Sequence, residues 1–325
     1  MQTLTAPKSN IEKRLFNLLE IPVDQLTLPI LKDAVQYMRS TLSDSVINAT
    51  AELGIGAIDL AGTGGSGMPK FNTSTTVAFV LAAYGVKVVK FGNRSITGNS
   101  GSVDFLAAIG FEQDSNLDNL AKKLRDTDLI FLNAATFYPQ IGLITEQRKQ
   151  LGRPSIFNFI GPVLNPVSPE FRLLGVSNNR IRAQLNQFLT EEETIQRAIT
   201  MTSASGLDEF DARGQNHVSI VDSSKITEME TSNLSNQFAN LLAGVLTVAH
   251  KEQSTTVIKN ARSFTDIITG SDTTSDAYAG VVVNAGAAFL AAKAVSSIDA
   301  GCKLAQKLIA NRSVQKKYEH VRGTR

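Results

Sequence analysis

Only one cysteine, Cys302, occurs in 325 residues. No disulfide can form within the chain, and nothing points to an oxidising destination. A charge of one sign is also missing. The 32 Lys and Arg against 30 Asp and Glu leave a formal net charge of +2. A dedicated nucleic-acid binder shows a basic excess that this chain lacks. No charge-free apolar run reaches the roughly 20 residues that cross a bilayer. Met1–Asn10 is polar and has no apolar signal core. These absences predict a soluble, cytoplasmic protein with no nucleic-acid and no membrane partner. Metal-ligand spacing is absent around His217 and His250, and there is no internal repeat or low-complexity segment.

What is present is a chain that is 42% hydrophobic, enough for a sizeable core. Strand patterns at Ala57–Leu60, Val86–Lys90, Asp128–Leu132, Leu173–Val176 and Ala198–Ser203 alternate with helical ones. The helical patterns include Ile11–Glu20, Leu26–Leu42, Thr73–Tyr84, Asp104–Ile109, Leu117–Leu124, Tyr138–Leu151, Asn179–Gln187, Phe238–Ala249, Ala279–Ala294 and Ile298–Ile309. A short crossing helix is predicted within Ile156–Asn165, and a hairpin from His217–Val221 and Lys225–Met229. Ser254–Arg262 and Asp272–Ala277 read as loops, and Val314–Arg325 as a solvated basic helix end. The fold class is α/β: a small all-helical domain plus a larger α/β domain with a central, mainly parallel sheet flanked by helices. The expected division is 1–54 helical, 55–135 α/β, 136–168 helical with the crossing segment, and 169–325 the rest of the α/β domain.

The chain is organised around Asp59-Leu60-Ala61-Gly62-Thr63-Gly64-Gly65-Ser66-Gly67, followed by Asn72-Thr73-Ser74-Thr75. A strand, a glycine loop and a helix start make a cradle for phosphate, because glycine lets backbone N–H groups approach an anion. Gly62, Gly64 and Gly67 also spell G-x-G-x-x-G. The dinucleotide fingerprint then needs a carboxylate after the second strand. Lys90-Phe91-Gly92-Asn93-Arg94 holds none. A Walker loop fails for want of Gly-Lys-Ser/Thr, and a turn without ligand is the remaining alternative.

Several motifs in order resemble the anthranilate phosphoribosyltransferases. That family carries G-T-G-G-D-G, N-x-S-T, K-H-G-N-R and S-G-S. This chain has Gly62-Thr63-Gly64-Gly65-Ser66-Gly67, Asn72-Thr73-Ser74-Thr75, Lys90-Phe91-Gly92-Asn93-Arg94 and Ser100-Gly101-Ser102. The likeness runs on through Phe157–Pro166 and Leu207-Asp208-Glu209 to the Ala-rich C-terminal helices. It implies phosphoribosyl transfer from 5-phosphoribosyl 1-pyrophosphate to anthranilate, in tryptophan biosynthesis, with Mg2+ and as a homodimer. The donor is expected on Gly62, Gly64, Gly65, Ser66, Lys70, Asn72, Ser74, Thr75, Lys90, Asn93 and Ser102. The acceptor is expected on Gly62, Phe91, Asn93, Tyr138 and Arg148, and the metal on Ser74, Asp208 and Glu209. No residue is assigned as acid or base.

Each residue has a plainer reading. Asp208-Glu209 could be an exposed acidic turn, Lys90 a solvated strand end, and Arg148 a helix-surface charge. Phe137 and Tyr138 could be core. The sequence also departs from the family pattern: Ser66 replaces an acid, Lys70 a Thr or Ser, and Phe91 a histidine. Phe137-Tyr138-Pro139 stands where many members have His-His-Pro. The phosphate side is kept better than the acceptor side. Two other functions therefore stay open: a same-fold transferase or phosphorylase for another aromatic or a nucleobase, and a non-catalytic binding protein. Retained metal carboxylates speak against the latter.

Overall fold

The computed structural model describes residues 9–64, 70–93, 101–112, 114–229 and 256–324. Five strands run parallel: β1 (Ala57–Gly62), β2 (Lys87–Gly92), β3 (Leu129–Asn133), β4 (Phe171–Gly175) and β5 (Arg197–Ser203). The hairpin β6 (Asn216–Asp222) and β7 (Lys225–Met229) extends the sheet antiparallel. The spatial order is β3-β2-β1-β4-β5-β6-β7. The chain thus builds outward from β1 to β3, then returns to place β4 on the other side of β1. In open α/β sheets, such a reversal opens a crevice beyond the carboxyl ends of the two strands.

Both faces of the sheet are covered, which explains why its inner strands read as continuous apolar runs. On one face lies α4 (Thr73–Tyr84), apolar all round and ended by Gly85 at φ 94°. It is enclosed by α12 (Asp276–Ala291), α13 (Ile298–Ala310) and α14 (Ser313–Gly323). A Cβ on Gly301 would lie 2.5 Å from the carbonyl oxygen of Gly286, so α12 and α13 approach that closely only because both positions are glycine. On the other face, α1 (Asn10–Glu20), α2 (Leu28–Arg39), α6 (Leu117–Thr127), α9 (Ile156–Ile160) and α10 (Asn179–Thr190) share a second core. Helices α3 (Asp44–Thr50) and α5 (Ser102–Ala108) complete the elements up to β3.

Three expectations are corrected. The segment read as a loop at Ser254–Arg262 is helical from Val257, in α11 (Val257–Ile268). Thr256 caps it, accepting from Lys259 N at 3.3 Å, while Asn260, Phe264, Ile267 and Ile268 are buried at helical spacing behind polar neighbours. The basic C-terminal segment is the docked helix α14: Val314 and Val321 are buried, and Tyr318 donates to Ile109 O at 2.8 Å. Tyr138–Leu151 is not one helix. The short α7 (Ala134–Phe137), a 3-10 segment Pro139–Ile144 and α8 (Thr145–Leu151) take its place. Pro139 removes a backbone donor and ends the first helix. The helix expected at Phe238–Ala249 lies outside the described residues.

Candidate active site

The reversal point is where the glycine loop and the acidic loop meet. Gly62, which ends β1, pairs with Gly175, which ends β4. The segment Leu207-Asp208-Glu209 drops onto these two ends. Asp208 is 3% exposed, so it is no exposed turn. Its Oδ2 accepts from Gly64 N at 2.7 Å and its Oδ1 from Lys70 Nζ at 2.5 Å. Gly64 sits at φ 66°, a left-handed conformation that aims its N–H at the carboxylate. Glu209 Oε1 accepts from Thr73 Oγ1 at 3.2 Å, at the start of α4. Burial pushes the Glu209 carboxyl up to about 7, against the pull of Lys70. Asn284 of α12 pins the next residue, accepting from Phe210 N at 3.0 Å and donating to its carbonyl at 3.2 Å.

Lys90 is not at a solvated strand end. It lies inside β2, is 3% exposed, and donates from Nζ to Leu60 O at 2.6 Å. Burial pushes its ammonium down to about 8, with Asp59 opposing. Asp59 is the centre of a buried network that the sequence analysis did not single out. Its Oδ1 accepts from Leu60 N (2.8 Å) and Phe91 N (3.1 Å), and its Oδ2 accepts from Asn165 Nδ2 (2.9 Å). Arg172 lies 3.7 Å from Oδ2 and donates to Pro162 O at 3.0 Å. These bonds tie the crossing segment to β1, β2 and β4. The available signal was the charge itself, since Asp59 and Arg172 stand alone inside apolar strands.

The cleft is a cavity of about 290 Å³ lined by Gly62–Gly64, the start of α4, the end of β2 with Asn93, Ser102, Asp208 and Glu209. Arg148 of α8, Arg153, Tyr138 and the Phe91 side chain of β2 line the same cavity. The Arg148 guanidinium lies 5.6 Å from the centre of the Phe157 ring, and burial pushes its pKa down to about 10. Among the described residues it makes no ion pair. Phe91 and Tyr138 meet edge to face at 6.1 Å. The Tyr138 hydroxyl is committed to Leu164 O at 2.9 Å, so the ring presents a mainly apolar surface. Phe137 is core and outside the lining. Thr75 is also outside it, fully buried in α4. Gly65 and Ser66 lie outside the described residues.

The sequence matches the family described as "Glycosyl transferase family, a/b domain" over residues 55–313. It is 33% identical over 274 residues to an anthranilate phosphoribosyltransferase of Staphylococcus aureus, covering 82% of this chain and 78% of that one. The chain belongs to the anthranilate phosphoribosyltransferase family. Solved family structures share the fold. The Thermus thermophilus anthranilate phosphoribosyltransferase superposes with a TM-score of 0.77 at 23% identity, covering 97% of this chain and 90% of that one. The Saccharomyces cerevisiae enzyme, solved in complex with PRPP and Mg, gives a TM-score of 0.70 at 21% identity, covering 96% and 91%. A glycosyltransferase-type enzyme with a mainly parallel sheet is thereby established.

The residues suit Mg2+ unequally. Mg2+ prefers one or two carboxylates plus phosphate oxygens and water. Among the described residues no group of three acidic, histidine or cysteine side chains forms a protein-only cage, so phosphate and water would have to complete any site. Glu209 and Ser74 face the cavity and fit that role. Asp208 fits less well, because Lys70 and Gly64 already engage both of its oxygens.

Proposed function

We propose that this protein transfers the phosphoribosyl group of 5-phosphoribosyl 1-pyrophosphate to anthranilate, releasing pyrophosphate, as a step of tryptophan biosynthesis. The observation that carries the reading is that one cavity is lined both by the start of α4 with Lys70 and Lys90 and by Arg148, Phe91 and Tyr138. The donor's pyrophosphate lies against the start of α4, where the first N–H groups of the helix and its dipole favour negative charge. Lys70, Lys90, Asn93 and Ser102 border that region. Arg148 takes the anthranilate carboxylate with its planar fork, and Phe91 and Tyr138 take the ring.

The acceptor nitrogen attacks C1 of the ribose as the bond from C1 to the pyrophosphate oxygen breaks. The amine's proton goes to solvent. Positive charge gathers on C1 and the ring oxygen, as in glycoside cleavage. Mg2+ bound to Glu209, Ser74 and the diphosphate would neutralise the leaving group. Holding both substrates in line converts a two-body encounter into a positioned one.

The same reading includes a cytoplasmic location and a homodimer. Exposed Ile11 of α1 and Leu143 of the adjoining 3-10 segment support a dimer face on the helical lobe. That lobe comprises residues 1–54 and 136–168 in this reading, with α/β parts at 55–135 and 169–325. Loss of anthranilate fluorescence on mixing with 5-phosphoribosyl 1-pyrophosphate and Mg2+ tests the reaction. Turnover of a nucleobase but not of anthranilate would overturn it.

A further inference from the structure

Lys70 departs from the family pattern at the place where charge matters most. Its ammonium bonds Asp208 at 2.5 Å while a third of its side chain stays exposed to the cavity. An ammonium has three donors, and the bond to Asp208 uses one. Asn260 of α11 donates to Lys70 O at 3.4 Å and to Asn72 Oδ1 at 2.8 Å, which holds Lys70 against the start of α4. Lys70 therefore lines the cavity next to Asn72, Thr73 and Ser74 at the start of α4.

We infer that the Lys70 ammonium is a built-in counter-cation for pyrophosphate, standing on Asp208 where the family resemblance would put a divalent ion. The inference rests on the phosphoribosyltransferase reading of the cleft. A cation in that place bridges the carboxylate to a phosphate oxygen, as a metal would, but travels with the chain. Pyrophosphate then binds without Mg2+, and the divalent ion is left with Glu209 and Ser74.

Calorimetry with pyrophosphate on the full chain decides it, in chelator and then in Mg2+. The parent is expected to bind in chelator. Lys70→Thr is expected to lose tenfold or more of that metal-free affinity and to regain it in Mg2+, because Asp208 is freed for the ion. Lys70→Arg, which keeps the charge, is expected to retain metal-free binding, and circular dichroism checks that all three fold. Equal metal-free affinity in the parent and Lys70→Thr would overturn the inference. So would binding by the parent only with Mg2+, an outcome that leaves the proposed reaction standing. Failure to bind pyrophosphate under either condition would overturn both.

Discussion

A Cβ on Gly175 would lie 1.8 Å from the carbonyl oxygen of Asp208, and one on Gly62 would lie 2.3 Å from its Oδ2. The two strand-end glycines are the seat of the acidic loop. Without side chains there, the loop backbone rests directly on β1 and β4 and brings its carboxylates to the glycine loop. Gly175→Ala is expected to lift the loop and cost about 1–3 kcal/mol in stability. A shift of about 1 Å in a positioning loop costs roughly 100-fold in turnover. Steady-state kinetics and thermal melts measure both, and a fully active Gly175→Ala would show that the loop does not depend on this contact.

Beneath that seat, Asp59 and Arg172 are 1% and 3% exposed. Burial raises Asp59 above the ordinary carboxylate range even though Arg172 and Lys90 pull it down. Removing one partner from such a pair strands the other. Arg172→Leu is expected to lose about 3–5 kcal/mol of unfolding free energy, and Asp59→Asn added to it to recover part of that. Urea denaturation reads both values. A neutral Arg172→Leu would mean that Asn165 and the backbone N–H groups suffice for Asp59.

Sequence reading worked best where one local rule acted alone. Thr73–Tyr84 was bounded correctly because the glycine loop and Gly85 punctuate an unbroken apolar run. The mainly parallel sheet followed from the alternation of strand and helix patterns. The misses came where tertiary contacts override local pattern. Helix α11 hides its buried face among polar residues, and α14 has too few apolar positions to announce that it docks. The burial of Asp208 and Lys90 was equally illegible, since it depends on strand order and on two glycines far apart in sequence. Residues named on the family resemblance, among them Lys70, Ser74, Asp208 and Arg148, line one cavity, but the resemblance did not reveal the bond between Lys70 and Asp208.

Lys90 gives the cleft a pH dependence whose direction is set by its buried ammonium at about 8. A lysine held below its ordinary value is neutral in the folded protein and still charged in the unfolded chain between those two values. The unfolded state then binds more protons, so this group's contribution to stability rises as pH climbs through that window. Its contribution to anion binding runs the other way. The cation is present below about 8 and lost above it, so kcat/KM for the donor is expected to fall by up to tenfold per pH unit there. Lys90→Met is expected to lower the plateau and remove that limb. An unchanged profile in Lys90→Met would assign the limb to another group.

Arg148 carries the acceptor side of the reading. Its guanidinium is half-buried over Phe157, without an ion pair among the described residues, and it faces the cavity. Holding a desolvated cation without a partner carries a cost that a ligand carboxylate would relieve. A charge-assisted hydrogen bond to such a ligand contributes about 1.5–3 kcal/mol. Arg148→Ala is therefore expected to raise the anthranilate KM by roughly ten- to a hundredfold while moving the donor KM less than about twofold. Arg148→Lys keeps the charge but not the planar fork and is expected to fall between the two. Aniline, which lacks the carboxylate, separates binding from architecture. If Arg148 holds the carboxylate, aniline turnover is low and nearly equal in the parent and Arg148→Ala. If instead Arg148→Ala depresses aniline and anthranilate turnover alike, the arginine acts by packing on Phe157 and the carboxylate must be held elsewhere in the cleft.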